Sequence, residues 1–463
     1  MSHRRTVGDA FTEHLCSLEA LKVHEQILLT ERDPATGQRW LVTQDGSRQS
    51  YSIPVAFQRI KALRLCFVDM WCGWGRSVFR MGPWGARALA GRYHPGIPGD
   101  KVVAFNFGSL KARVAQHYCR SQSRATALAD GYCRFGQWLC LKVNAHLTRV
   151  ELDPLHDCFF GFNTNCLETL HFLRDRKVFT IVDQVDPAKI EEDLVFEEAA
   201  RWPGWADVEG RMPQAYWDRI RAEWNLADLV LVNSQWSAEA LVRQGVAGKK
   251  IAIVPLALDL PPVTAREQTR PEGPLKVLWL GSVILRKGIQ YLAEAARLLG
   301  GTQIEFLIAG PIGISQKALR SFPPNMKLIG RITRDQIPAL CSRAHVFVLP
   351  TLSDGFAITQ LEAMAHGLPV VTTANCGQVV TSGMDGMIVP PRDSRALADA
   401  LAYLDEHRSL VHAMSQNARI TAAKYDLLSN AAMIDRLARQ FRNGRASDTS
   451  VVRKDITPEL TPV

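Results

Sequence analysis

Short apolar runs alternate with amphipathic helical stretches between residues 63 and 259, and again after a break at 261–274. This constrains the chain more than any other feature of it. "ADLVLVNS" (227–234) is the clearest case. Its apolar residues are continuous rather than alternating, as expected of a strand in a parallel sheet covered on both faces. "LRLCFVDM" (63–70), "VVAF" (102–105), "HDCFFGFN" (156–163), "KVFTIVD" (177–183) and "KIAIVPLALD" (250–259) read the same way before the break. "LKVLWLGS", "IEFLIAG", "MKLIG", "HVFVLPT" and "PVVTT" follow it. Between them, "WSAEALVRQGV" reads as a helix with Ser234 as its cap and Gly245 as its stop. "KGIQYLAEAARLL" puts Ile289, Leu292, Ala296 and Leu299 on one face. Strand–helix alternation of this length, twice over, predicts an α/β protein of two doubly wound, parallel-sheet domains. The cleft between them is the default ligand site.

The remaining segments are less committed. "TERDPATGQRWLVTQDGSRQSY" (30–51) reads as a hairpin around Asp45–Gly46, with no period long enough to place a core. The resulting partition is a poorly defined extension at 1–60, a first domain at 61–260 and a linker rich in proline and charge at 261–274. A second domain at 275–425, a helix at 426–444 and a disordered tail at 445–463 complete it. A chain of 463 residues has room for two cores. A net charge of +9 suits an anionic partner: a nucleotide, a phosphate or an acidic membrane surface. The basic residues are dispersed, which argues against a nucleic-acid partner. The ten cysteines form no CxxC pair and no ligand spacing with histidine, so free thiols in a reducing cytosol are expected. Neither a signal peptide nor a run of about 18 apolar residues appears, which predicts a cytoplasmic protein.

"PTLSDGFAITQLEAMAHGLPVV" (350–371) carries the sharpest chemistry. Asp354 stands in a polar turn where a strand ends, and Glu362 lies on a helix expected to start near Phe356 and end at Gly367. At ~1.5 Å per residue the two acids are roughly 12 Å apart along the axis. That span suits a ligand with two hydroxyl-bearing rings joined by an anionic bridge, the helix amides facing the bridge. In a plainer reading Asp354 caps the helix and Glu362 is solvated or ion-paired.

"GSVILRKG" (281–288), "DGFAITQLEAMAHGLPVV" (354–371) and "GMDGMIVPPRD" (383–393) resemble the donor half of retaining glycosyltransferases of family 4, which have the GT-B fold. "FTIVDQVDPAKIEEDLVFEEAARWP" is similar to acceptor domains of a bacterial branch. The resemblance implies transfer of a hexose from a nucleotide sugar to a saccharide or lipid-linked acceptor in polysaccharide or glycoconjugate synthesis. It implies no metal and no cofactor. Asp354 would contact the transferred sugar and Glu362 the ribose, while Lys287 grips the diphosphate. Gly355, Phe356 and Ala357 supply amides, Gly281 ends the strand before the lysine, and Gly330 and Arg331 lie where main chain meets the base. Two departures stand out. The first acid is aspartate where glutamate is commoner, and Ser282 holds the place of a phosphate-binding arginine, for which Arg286 is the candidate substitute. The family often has a histidine on the acceptor side; the nearest position here is Asp183, which is not a histidine, with His156 and His171 as stand-ins.

Three further readings fit parts of the chain. "VDMWCGWGRSVF" places Gly73 and Gly75 after a strand, as a dinucleotide-binding enzyme would. Val78 replaces the third glycine, however, and the acid about 20 residues on is missing. In the glycosyltransferase reading this loop lines the acceptor side. An epimerase of the same fold would need no acceptor, and a non-catalytic paralogue would only bind nucleotide sugar or a partner. Trp71, Trp74, Phe79 and Trp84 beside Arg76, Arg80, Arg87 and Arg92 fit either peripheral membrane contact or a domain core.

Overall fold

The computed structural model describes residues 37–74, 89–110, 124–206, 210–259 and 273–443. Two parallel sheets organise them. The first has the order β3-β2-β1-β4-β5-β6-β7. Its strands are β1 (Arg39–Gln44), β2 (Leu63–Val68), β3 (Val102–Ala104), β4 (Asp157–Phe162), β5 (Phe179–Gln184), β6 (Leu229–Val232) and β7 (Ile251–Ile253). The second has the order β10-β9-β8-β11-β12-β13. It comprises β8 (Leu275–Leu280), β9 (Ile304–Ala309), β10 (Met326–Gly330), β11 (Val346–Leu349), β12 (Val370–Thr372) and β13 (Gly386–Ile388). β4, β5, β6 and β11 are buried along their whole length, as continuous apolar runs demand.

In each sheet the chain first builds outward in one direction, then returns and builds the other way. The reversal falls between β1 and β4 in the first sheet and between β8 and β11 in the second. Loops leaving those neighbouring strands diverge, so a crevice opens at their C-terminal ends.

Of the extension expected at residues 1–60, residues 1–36 lie outside the described residues; from residue 37 onward that expectation is corrected, as is the hairpin at Asp45–Gly46. β1 lies in the middle of the first sheet, paired in parallel with β2 on one side and β4 on the other. Trp40 and Val42 from β1, with Phe57 from the helix Ser52–Arg59, belong to its core. The turn at Asp45–Gly46 leads into a left-handed run at Gln49, Ser50 and Tyr51, with φ of 47°, 55° and 64°. The helix Leu427–Arg442 also packs into the first domain, burying Leu427, Ala431, Ile434 and Ala438. Trp40 Nε1 donates to its Asp435 at 3.0 Å.

Candidate functional site

The C-terminal ends of β8 and β11 bring Lys287 and Asp354 together from positions 67 residues apart. Gly288 makes this close approach geometrically feasible. Its φ is +80°, and a Cβ there would lie 1.9 Å from the Pro350 carbonyl oxygen. Lys287 Nζ then donates to Asp354 Oδ2 at 2.8 Å. Arg286 Nη1 donates to the Ser353 carbonyl at 2.6 Å and stands 3.8 Å from Asp354 Oδ1. Burial alone would raise the Asp354 pKa, but Lys287 and then Arg286 outweigh it and hold the carboxyl below its ordinary value. Asp354 therefore stays ionised between two cations.

It does not cap the helix. That helix runs Ile358–Ala365, two residues later than expected, with Ala357 as its N-cap and no side chain bonded to its first amides. Phe356 and Ala357 are buried at its entry. Free amides beside two cations form a site for an anion. Gly281 directly follows β8 and lies close to Lys287, since a Cβ there would meet Nζ at 3.6 Å. Arg286, rather than Ser282, puts the second cation at Asp354.

Glu362 lies on the same helix, buried, and its Oε1 accepts from Arg334 Nη2 at 2.8 Å. Arg334 also reaches Ser50 Oγ in the first domain. Gly330 and Arg331 sit at the end of the edge strand β10, two strands out from the reversal point. In that region Arg334 is the residue that touches Glu362, and nothing in "GRITRDQ" distinguishes it in sequence.

The first domain closes on this site. A Cβ on Gly355 would lie 2.4 Å from the Val185 carbonyl oxygen, so this glycine lets the loop approach the opposite domain as well as a ligand. Glu191, on the helix Lys189–Arg201, accepts from Ser353 Oγ at 2.8 Å and pairs with Arg286 at 3.3 Å. Burial pushes its pKa up to about 7, with Arg286 opposing. Trp236 Nε1 donates to the same Ser353 hydroxyl at 3.0 Å. In sequence Glu191 reads only as a first-turn acid favoured by the helix dipole, which hides its contact across the cleft.

Asp183 is the penultimate residue of the buried strand β5 and is 6% exposed. Burial raises its pKa to about 7, opposed by Arg48 and reinforced by Asp186. His156 and His171 do not share its place. His156 lies at the N-terminal end of β4, with Nδ1 2.5 Å from Asp153 Oδ2. His171 is exposed on the helix Leu167–Arg174. Gly73 follows β2, one strand out from the reversal. Gly75, Arg76, Phe79, Arg80, Trp84 and Arg87 lie outside the described residues. Of the remaining patch, Trp71 packs edge-on against Tyr51, Arg92 pairs with Asp69, and Trp74 is exposed.

The buried Asp183 predicts a pH effect on stability. Its folded pKa of about 7 lies above the unfolded value of about 3.9, so folding favours the proton. That contribution is complete below about pH 4 and is lost as pH rises through about 7. Asp183→Asn is therefore expected to gain stability over wild type on going from pH 5 to pH 8, by up to roughly 3 kcal/mol. Paired denaturant melts at the two pH values measure it, and a constant difference between the proteins would refute it.

Two doubly wound parallel domains with their loop ends facing across a cleft define the GT-B class of fold. Residues 274–407, which hold Lys287, Asp354 and Glu362, match the family model described as glycosyl transferases group 1. Over 195 residues the chain is 30% identical to a putative colanic acid biosynthesis glycosyltransferase, WcaL, of Escherichia coli K12, covering 39% of this chain and 48% of the relative. Over 176 residues it is 31% identical to an alpha-D-kanosaminyltransferase of Streptomyces kanamyceticus, covering 36% and 45%. The chain thus spans about half the length of these curated relatives. Among solved structures, sucrose-phosphate synthase from Thermosynechococcus elongatus superposes with a TM-score of 0.60 at 17% identity, over 88% of this chain and 100% of that one. Anabaena HepE, crystallised with UDP, gives 0.58 at 14% identity, over 87% and 100%.

Proposed function

We propose that the protein is a retaining, metal-independent glycosyltransferase that moves a hexose from a nucleotide sugar to a saccharide or lipid-linked acceptor in polysaccharide or glycoconjugate synthesis. One observation carries the reading. Lys287, Arg286 and Asp354 meet at the reversal point of the second sheet, beside uncapped helix amides, with Glu362 two turns along the same helix. The cations and amides would take the diphosphate and stabilise the negative charge that develops as the nucleotide leaves. Asp354 would hold hydroxyls of the sugar and Glu362 those of the ribose. The donor phosphate would then accept the proton of the attacking hydroxyl on the same face, so that configuration is retained. Arg286 at Asp354 supports a complete clamp despite Ser282, and so favours an enzyme over a non-catalytic paralogue.

No helix of the described residues is long and apolar enough to cross a membrane. A cytoplasmic setting with peripheral membrane contact is part of the same proposal. A thermal-shift screen against UDP-, GDP- and ADP-sugars, with NAD and NADP alongside, tests the reading. UDP-sugars come first because HepE, which shares the fold, was crystallised with UDP-glucose. Stabilisation by one nucleotide sugar, lost in Asp354→Ala, is expected. Stabilisation by NAD alone would sink the proposal, and turnover without an acceptor would identify an epimerase.

A further inference from the structure

Glu191 reaches the donor site from the opposite domain, and the transfer chemistry proposed above gives it no task. Its Oε2 accepts from Ser353 Oγ at 2.8 Å and from Arg286 Nη1 at 3.3 Å. Its Oε1 bonds to no described residue. Arg286 does not need this contact to hold its place. The Arg286 carbonyl accepts from the Leu352 amide at 2.9 Å, and Nη1 donates to the Ser353 carbonyl at 2.6 Å. Among the described residues every side-chain hydrogen bond of Arg286 runs through Nη1. Its Nε and Nη2 are therefore the hydrogen-bond donors left for a ligand.

The charges at this point oppose an anion more than the clamp alone suggests. Arg286 and Lys287 face Asp354 and Glu191, two cations against two carboxylates, and Asp186 adds a negative charge from the loop after β5. A nucleotide-sugar diphosphate brings two more negative charges, and the helix amides offset about half of one. Like charges gathered in a partly desolvated cleft favour uptake of a proton. Asp354 is a poor recipient, because Lys287 bonds it directly at 2.8 Å and holds its carboxyl below the ordinary value. Glu191 is the better one. Burial already lifts it to about 7, with Arg286 opposing and Asp186 and Asp354 adding to the rise.

We propose that Glu191 is a positioning residue of the donor site, taking up one proton as the diphosphate binds, so that its carboxyl stops competing with the donor for Arg286. The inference rests on the donor reading. The step forms one O–H bond with a proton from the buffer and breaks no bond in the sugar nucleotide. A neutral carboxyl keeps an acceptor for Ser353 Oγ while gaining a hydrogen-bond donor, so the contact between the domains survives. Arg286 is left with one carboxylate instead of two.

Isothermal titration of the full chain with UDP-, GDP- and ADP-glucose tests this, at about pH 6, 7.5 and 9 and in two buffers of unequal ionisation heat, because linked protons appear in the measured heat. The diphosphate of a nucleotide sugar stays fully ionised over that range, so the proton count reports the protein. Wild type is expected to take up about half a proton per bound nucleotide sugar near pH 7.5 and to lose about tenfold in affinity from pH 6 to pH 9. Glu191→Gln imitates the neutral acid. It should bind at all three pH values about as tightly as wild type does at pH 6, with no proton taken up. Asp183, Glu223 and His366 titrate in both proteins and cancel in the difference. Trp236→Phe removes the other side-chain bond to Ser353 Oγ but no charge, and should keep the uptake. Uptake absent from wild type, or equal in Glu191→Gln, would overturn the proposal and leave the donor reading standing. Loss of uptake in Trp236→Phe would trace it to the domain contact and overturn the proposal as well. Weaker binding by Glu191→Gln at every pH would also overturn it, making Glu191 an ionised support for Arg286. Binding of none of the three nucleotide sugars by either protein would remove the donor reading and this inference together.

Discussion

Lys287→Ala is expected to lower turnover by about 10²–10³-fold while weakening ground-state donor binding far less. The geometry sets this asymmetry. The ammonium is committed to Asp354 at 2.8 Å, and both side chains are 14% exposed. A donor bound as proposed would have to share that cation with the carboxylate, so part of the lysine's attraction would already be satisfied before the reaction begins. On the proposed function, the diphosphate would gain negative charge next to the lysine as the bond to the sugar breaks, and the attraction would grow in a site of low effective dielectric. Only this increment accelerates the reaction. Arg286 cannot supply it alone, because it stands 3.8 Å from Asp354 and is shared with the Ser353 carbonyl and Glu191. Lys287→Ala also leaves the buried Asp354 with that single, more distant cation, which costs stability as well as rate. The variant Lys287→Ala with Asp354→Asn separates the two effects, since it removes the orphaned charge and should recover stability without recovering turnover. Steady-state kinetics with donor titrations decide the matter. Equal losses in binding and turnover would show that the lysine holds the donor uniformly.

How much of this was legible in the sequence depended on whether a residue's role was local. Lys287, Asp354 and Glu362 each stood in a recognisable stretch, but their pairing did not, because the strands that precede Lys287 and Asp354 are neighbours in the sheet yet separated along the chain by β9 and β10. Arg286 could be proposed as a substitute for the missing arginine, and the structure brings it to Asp354 because a glycine allows the loop after β8 to lie on the end of β11. β1 was missed for a physical reason. "RWLVTQ" mixes polar and apolar residues where a central parallel strand is expected to be continuously apolar. Thr43 and Gln44 are nonetheless fully buried in it, and the Asp45–Gly46 pair that follows imitates a hairpin turn. Its partner β4 lies more than a hundred residues away, beyond any local pattern. Missing β1 concealed the reversal point of the first sheet, and with it Asp45 and Arg48. The helix Leu427–Arg442 showed an apolar face, but no periodicity says which domain that face covers.

Glu362→Ala is expected to weaken donor binding about 10–100-fold while leaving turnover at saturating donor within a few-fold, because on the proposed function its charge-assisted hydrogen bonds to ribose hydroxyls would be made in ground state and transition state alike. The structure also offers a second account of the same carboxylate. Glu362 holds Arg334, which in turn reaches Ser50 across the cleft, so its loss could act by releasing the arginine and loosening the contact between domains. Arg334→Ala distinguishes the two. If Glu362 serves the ribose, freeing it from Arg334 removes a competitor, and Arg334→Ala should cost much less donor affinity than Glu362→Ala. If the ion pair itself is what matters, the two variants should lose the same amount, and the double variant should lose no more than either. A donor lacking the 2′-hydroxyl gives an independent measure. Wild type should bind it less tightly than the ribose form, and Glu362→Ala should no longer tell them apart, because the carboxylate that senses the hydroxyl is gone. An unchanged preference for the ribose form in Glu362→Ala would assign the hydroxyl to another residue and leave Glu362 as the anchor of Arg334.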